Sequence, residues 1–166
     1  SDNDGIPDIV EKRGEVIALS GIDGNNDGLD NNFEITDKAI DTDKDGVLDY
    51  MDLDSDNDGI YDLEESGHGL PDIDLDGIID NAIALIGDNG LVNSLEITLD
   101  EGIINYTIAD TDYIPSATDN KFDYIELDSD NDKCLDVIEA GFTDPNGDGL
   151  LGDTTLTVNS EGKVTS

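Results

Sequence analysis

The sequence predicts a mostly irregular, elongated repeat array with short β-hairpins and single helical turns, in which small apolar pads between loops replace one large core. Three observations support this prediction. Hydrophobic residues make up 36% of the 166 residues, below the roughly 45–50% of ordinary globular proteins. Asp and Glu number 43 against seven Lys and Arg, which gives a formal net charge of −36. Aspartates also recur at alternate positions before glycine along most of the chain.

The stretch Asp54–Glu65, DSDNDGIYDLEE, defines the recurring motif. When its residues are numbered 1 to 12, acidic side chains fall at positions 1, 3, 5, 9 and 12, and Gly59 occupies position 6. This is the ligand spacing of a twelve-residue calcium loop, in which position 7 contributes a backbone carbonyl. Glycine at position 6 allows the positive φ that turns the loop back. The predicted ligands of this stretch, named loop four, are Asp54, Asp56, Asp58, Ile60, Asp62 and Glu65.

Six other stretches share the spacing, and the loops are numbered along the chain. The predicted ligands are Asp2, Asp4, Ile6, Asp8 and Glu11 in loop one; Asp23, Asn25, Asp27, Leu29, Asn31 and Glu34 in loop two; Asp41, Asp43, Asp45, Val47, Asp49 and Asp52 in loop three; Asp72, Asp74, Asp76, Ile78 and Asp80 in loop five; Asp128, Asp130, Asp132, Cys134, Asp136 and Glu139 in loop eight; and Asp144, Asn146, Asp148 and Leu150 in loop nine.

Several loops depart from the motif. Loop five has Ile83 at position 12, loop eight has Lys133 at position 6, and loop nine has Thr155 at position 12. Loop one lacks its position 1, so we expect the chain to be part of a longer one. Loop six (85–96) has lost the acids at positions 1 and 3, and loop seven (110–126) carries an insertion of about five residues, so calcium is not expected to be held well in either.

Successive loops start at residues 23, 41, 54, 72 and 85, which alternates spacings of 18 and 13 residues. This alternation indicates an internal repeat. It divides the chain into a calcium-loop array (1–85), degenerate loops with a β-hairpin near 95–108 (86–127), and further loops with a terminal hairpin (128–166). A single helical turn is predicted at 9–13, ended by Gly14.

Other interpretations fit less well. A flexible acidic linker does not hold Asp to alternate positions before Gly through successive loops. A pair of EF-hands needs a helix on each side of every loop, and gaps of one or six residues leave no room for one. Acid pairs resembling a glycosidase site are already explained as cation ligands. The sequence therefore predicts no enzymatic activity, and His68 is expected to be a connector residue.

The tandem DTDKDGVLDYMDLDSDNDGIYDLEE, residues 41–65, resembles thrombospondin type 3 repeats. That resemblance implies short irregular loops wrapped around a line of calcium ions, one held by loop three and the next by loop four. The animal family staples its repeats with cysteines, whereas this chain has one Cys. Phrases such as GIDGNNDGLDNNFE look like the repeat regions of very large Bacteroidetes surface proteins, including gliding-motility adhesins exported by the type IX system, which implies adhesion and that export route.

The sequence thus predicts a calcium-stabilised fold with roughly five to eight bound Ca²⁺. Loops tuned for millimolar calcium are typical of extracellular proteins, so the expected location is the cell surface. The predicted function is a calcium-binding structural or adhesive module whose chain is made rigid by calcium. Its expected partners are calcium, neighbouring repeats and surface polysaccharide, and neither nucleic acid nor insertion into a membrane is expected. The alternative is a calcium-dependent glycan-binding tip centred on 86–127.

Overall fold

The computed structural model describes residues 2–14, 22, 24, 39–80, 86–87, 91–113, 121–152 and 156–165. The predicted ligands of loop two lie outside these residues, as do Ile83 of loop five and Thr155 of loop nine. No helix in the described ranges is long and apolar enough to span a membrane.

Helical structure in the described ranges is confined to short turns that begin inside the acidic loops. The α-helices are α1 (Asp8–Arg13), α2 (Asp62–Glu65) and α3 (Asp136–Glu139), and the 3₁₀ turns are Asp49–Met51, Asn93–Leu95 and Asp123–Ile125. Each of these six elements begins at position 9 of a loop. The residue before each one has an extended backbone. Position 9 is therefore where an irregular loop becomes helical.

The helical turn predicted at 9–13 is confirmed as part of α1. Gly14 ends it in the left-handed region, with φ of 66°, and donates its N–H to the carbonyl of Val10. Glycine adopts this conformation without the steric cost that a Cβ would add.

Both predicted hairpins are present as antiparallel pairings with isolated bridges. Glu96 pairs with Ile104 in the first, and Val158 pairs with Val164 in the second. The sequence alternation of Leu95, Ile97 and Leu99 does not form one buried face, because only Leu95 is buried. The turn starts at Thr98, whose carbonyl accepts the N–H of Glu101, so Leu99 lies in the turn and Ile97 directly before it, and both side chains are exposed.

Apolar packing in the described residues is divided between two small clusters. Each contains residues at positions 7 to 11 of different loops, together with residues of the 95–108 hairpin. The first consists of Leu63, Ile79, Val92 and Leu95, and the second of Ile6, Val10, Ile108 and Tyr124. Tyr106 packs against both clusters. Small apolar pads between loops, as the sequence predicts, thus take the place of one large core.

Contacts between distant parts of the sequence fold the described chain back on itself. The Tyr106 hydroxyl donates to the Gly5 carbonyl at 2.8 Å, and Leu151 N–H donates to the Asn57 carbonyl at 2.8 Å. Leu53 N–H donates to the carbonyl of Glu161 in the terminal hairpin at 3.0 Å. Loops are therefore joined to segments beyond their neighbours in sequence, and the predicted elongation stays a prediction.

Loop four packs against loop nine at Gly59, the residue at position 6, and substitution of this glycine tests the contact. Gly59 and Gly46 both have strongly positive φ, 93° and 104°, but a Cβ on Gly59 would lie 2.9 Å from Leu151 Cδ2, whereas a Cβ on Gly46 would meet nothing within 4 Å. Both Ala variants share the backbone cost. We expect Gly59→Ala to lower the free energy of unfolding by about 1–3 kcal/mol more than Gly46→Ala, measured by urea denaturation in saturating calcium. Equal losses would contradict this packing.

Candidate metal centre

The backbone of each described loop is turned by its own acidic side chains. In loops one, three, four, five, eight and nine, Oδ1 of the position-5 aspartate accepts the N–H of position 7 at 2.7–3.1 Å. In loops four, five, eight and nine, the position-1 carboxylate accepts the N–H of position 6 at 2.7–3.4 Å. These short-range bonds curl the loop so that side chains at positions 1, 3 and 5 face inward.

Two positions, 4 and 6, adopt positive φ in each of loops one, three, four, five, eight and nine. Position 6 does so as predicted, including Lys133 at 81°. Position 4 does so as well, which the sequence interpretation missed; its residues are Asn3, Lys44, Asn57, Leu75, Asn131 and Gly147. Three of these are asparagine and one is glycine, the residues that tolerate the left-handed region best. That composition was the available signal.

The curled loops bring carboxylate oxygens together. One oxygen from each member lies within 4.8 Å of the others in the groups Asp2–Asp4–Glu11, Asp41–Asp43–Asp45, Asp54–Asp56–Asp58 and Asp72–Asp74–Asp80. Calcium binds oxygen at 2.3–2.6 Å, so ligands on opposite sides of one ion are about 5 Å apart. These spacings therefore suit a single Ca²⁺ in each group.

Burial distinguishes loops one, three and four from the rest. Ten buried carboxylate oxygens in the described residues have no hydrogen-bond partner; they belong to Asp2, Asp4, Glu11, Asp41, Asp45, Asp56, Asp58 and Glu65. All of these residues are in loops one, three and four. Asp4, Glu11 and Asp58 are completely inaccessible to solvent. A buried carboxylate without a donor or a counter-charge is strongly unfavourable.

In the part of the chain that the structure describes, the recorded ion pairs leave these clusters without a basic partner. The ion pairs recorded between side chains in the described ranges are Lys121–Glu126 at 3.6 Å and Lys163–Glu161 at 4.0 Å, and neither involves a buried cluster. The whole chain has only seven Lys and Arg. Protonation or a bound cation would balance the clusters, and an all-oxygen ligand set suits a hard cation such as calcium.

In loops three, four and seven, the position-9 aspartate has a role that the calcium-loop pattern does not predict. Asp62 accepts the N–H of Ser55 at 2.8 Å with Oδ1 and its hydroxyl at 2.6 Å with Oδ2. Asp49 binds Thr42 in the same way, and so does Asp123 with Thr111, across the insertion in loop seven. These carboxylates brace position 2 of their loops instead of pointing at the acidic cluster.

The remaining predicted ligands are placed less favourably. Asp8 is exposed at the start of α1, and most acids of loops eight and nine are exposed. Asp52 accepts the N–H of Asp54 at 3.0 Å. Asp144 accepts three backbone N–H groups, from Gly147, Asp148 and Gly149, and these bonds lower the pKa of its carboxyl. Loop nine is therefore shaped by hydrogen bonds at the surface, in contrast to loop four.

His68 has no nitrogen left for a metal. Its Nδ1 accepts the N–H of Leu70 at 2.9 Å, so Nε2 carries the proton and donates to the carbonyl of Asp4 at 2.8 Å. The ring also meets Tyr106 edge to face. His68 thus fastens loop one to the connector after loop four, consistent with the predicted connector role.

Burial of the loop carboxylates predicts that the stability of the fold depends on pH. Desolvation raises the pKa of Asp52 and Asp54 to about 8 and that of Asp58 to about 7. A raised folded-state pKa contributes stability that is complete below the unfolded value of 3.8 and is lost as pH rises through the folded value. In a chelator, the melting temperature should fall steadily between about pH 4 and pH 8.

Saturating calcium should flatten that dependence, because the ion displaces the protons. The melts should be repeated in about 1 M salt, which screens charges at the surface. Any change of melting temperature with pH that remains then comes from the buried clusters. A pH-independent melting temperature in chelator would contradict buried, protonated carboxylates.

We expect Ser55→Ala and Ser129→Ala, two equivalent substitutions at position 2, to lower the free energy of unfolding by different amounts, because the position-9 aspartates hold these serines differently. Ser55→Ala leaves Oδ2 of the inaccessible Asp62 without its donor, which should cost about 1.5–3 kcal/mol. Ser129→Ala should cost less, because Oδ2 of Asp136 also accepts the Ser129 N–H at 2.9 Å and Ser129 is only half-buried. Chemical denaturation in calcium gives both values. A larger loss in Ser129→Ala would contradict the brace.

Comparisons with known proteins identify no relative of this chain. No family model, no curated protein and no solved structure matches it. The resemblance to thrombospondin type 3 repeats therefore rests on the sequence motifs themselves, which cover most of residues 1–155 and are specific in the 41–65 tandem.

Proposed function

We propose that this chain is a calcium-binding structural module of an extracellular surface protein, in which bound calcium takes the place of a conventional core. One observation carries the proposal: among the described residues, the buried carboxylate oxygens without a hydrogen-bond partner all belong to loops one, three and four. These loops bring three acids each within the spacing of a single ion. Their cations would neutralise groups that otherwise oppose folding.

The same geometry implies that calcium binding and folding are coupled. Glu11 lies in α1, and Glu65 lies at the end of α2, so an ion in loop one or four is bound partly by a helical turn. The clusters of apolar side chains are small and would offset little of the roughly 1–2 kcal/mol of backbone entropy lost per ordered residue. Much of the binding free energy is therefore folding free energy.

The extracellular setting agrees with the physical chemistry of such sites. Calcium at millimolar concentration fills loops of moderate affinity outside the cell, whereas cytosolic calcium is too low to fill them. The resemblance to bacterial surface proteins adds an adhesive role to the proposal. Calcium would hold the module rigid between other parts of a longer surface protein, with polysaccharide as a candidate partner.

Removal of calcium tests the proposal directly. In excess chelator, small-angle scattering should show a larger radius of gyration and circular dichroism should show loss of the helical turns, and both should recover with calcium. Magnesium should restore them less well, because it requires octahedral geometry and dehydrates reluctantly. Profiles that do not change on chelation would contradict the proposal.

Two matched substitutions locate the effect. Asp56 is 3% exposed, with an unpartnered Oδ2, whereas Asp148 is exposed and receives a bond from Asn146. Asp56→Asn should remove or weaken one ion in a calorimetric calcium titration by roughly tenfold or more, while Asp148→Asn should leave the tight sites unchanged. The wild type should bind at least the ions of loops one, three and four.

A further inference from the structure

Loop four does not supply a complete ligand set from its own residues. Its position-9 carboxylate, Asp62, uses both oxygens to hold Ser55. The corresponding place at the cluster is occupied from elsewhere in the chain: one oxygen each of Asp58, Glu65 and Asp136 lie within 4.8 Å of one another. Asp136 is the first residue of α3 and belongs to loop eight.

Asp136 differs from other position-9 aspartates in how it uses its oxygens. Asp62, Asp49 and Asp123 each divide two bonds between Oδ1 and Oδ2. In Asp136, Oδ2 alone accepts both the N–H and the hydroxyl of Ser129, at 2.9 and 2.7 Å. Its other oxygen, Oδ1, is not used by the brace.

A similar situation occurs in loop five. From position 2 of its loop, Asp80 accepts the N–H of Ile73 through Oδ2, and Ile73 has no hydroxyl to donate a second bond. Asp80 belongs to a cluster of potential ligands with Asp72 and Asp74. A position-9 aspartate thus reaches an acidic cluster when one of its oxygens is released from the brace.

Each partner of Asp136 has one buried carboxylate oxygen that no donor reaches. Asp58 is inaccessible to solvent; its Oδ1 accepts the N–H of Ile60, and its Oδ2 has no partner. Oε2 of Glu65 is likewise buried without a partner. Asp136 itself is 7% exposed. Three carboxylates gathered in this way repel one another unless a cation lies between them.

We propose that Asp136 completes the cation site of loop four, so that one calcium ion bound by Asp58 and Glu65 also holds α3 of loop eight. The inference rests on the proposed function and deepens it. The ion becomes a cross-link between two parts of the chain that are far apart in sequence. Loop eight, in turn, gives its position-9 carboxylate to another site.

A double-mutant cycle tests the shared ion. Asp58→Asn and Asp136→Asn should each weaken one step of a calorimetric calcium titration by roughly tenfold or more. If both side chains bind the same ion, the double variant should be weaker by much less than the product of the two single effects. Additive effects, or no effect of Asp136→Asn, would overturn the inference.

Asp136→Asn is well suited to this experiment. Its amide oxygen can still accept both bonds from Ser129, while its amide NH₂ replaces Oδ1, which Ser129 leaves unused. The matched control is Asp123→Asn, the same position in loop seven, where both oxygens are bound to Thr111; it should leave the loop-four step unchanged. Circular dichroism in saturating calcium checks that each variant is folded.

A measurement on the wild-type chain keeps the inference testable if a variant does not fold. In carboxyl-carbon NMR, the side-chain signals of Asp58 and Asp136 should shift in the same step of a calcium titration, and that of Asp123 should not. A shift of Asp136 in a separate step, together with Asp130 and Asp132, would overturn the shared site. Absence of calcium binding altogether would instead contradict the proposed function.

Discussion

Burial of carboxylates without protein cations is the constraint on which the rest of the structure depends. Asp4, Glu11 and Asp58 lie in the interior, and each has at least one oxygen that no donor reaches. Charge in such a place is tolerated only with a counter-ion or after protonation. The chain has too few Lys and Arg to provide the first. The fold is therefore inseparable from whatever cation or proton occupies its loops.

Two sets of hydrogen bonds determine the conformation of a loop. Short-range bonds to backbone N–H groups set the turn, as Asp58 does with Ile60, and the position-9 brace closes the loop, as Asp62 does with Ser55. These bonds leave other oxygens turned inward. A loop so arranged requires little rearrangement to bind an ion, because much of the ordering cost is met by hydrogen bonds that form within the loop itself.

The local features of the loops were predictable from the sequence because they depend on contacts within about seven residues of chain. Alternating aspartates, the positive φ at Gly59 and Lys133, and the helical turn before Gly14 all belong to this class. The role of Asp62 was not predictable from the calcium-loop pattern. A ligand and a brace occupy the same position in sequence, and only the geometry shows which partner the carboxylate meets.

Taken by itself, the sequence determined that the chain is a series of acidic loops with small apolar pads, since both follow from local spacing and composition. The tertiary structure decided which loops bury their carboxylates. Asp54 and Asp144 begin similar motifs, yet Asp54 is 1% exposed, whereas loop nine lies largely at the surface. Burial, and the approach of Asp136 to loop four, depend on which pads pack together over long distances, and no short-range pattern encodes that pairing.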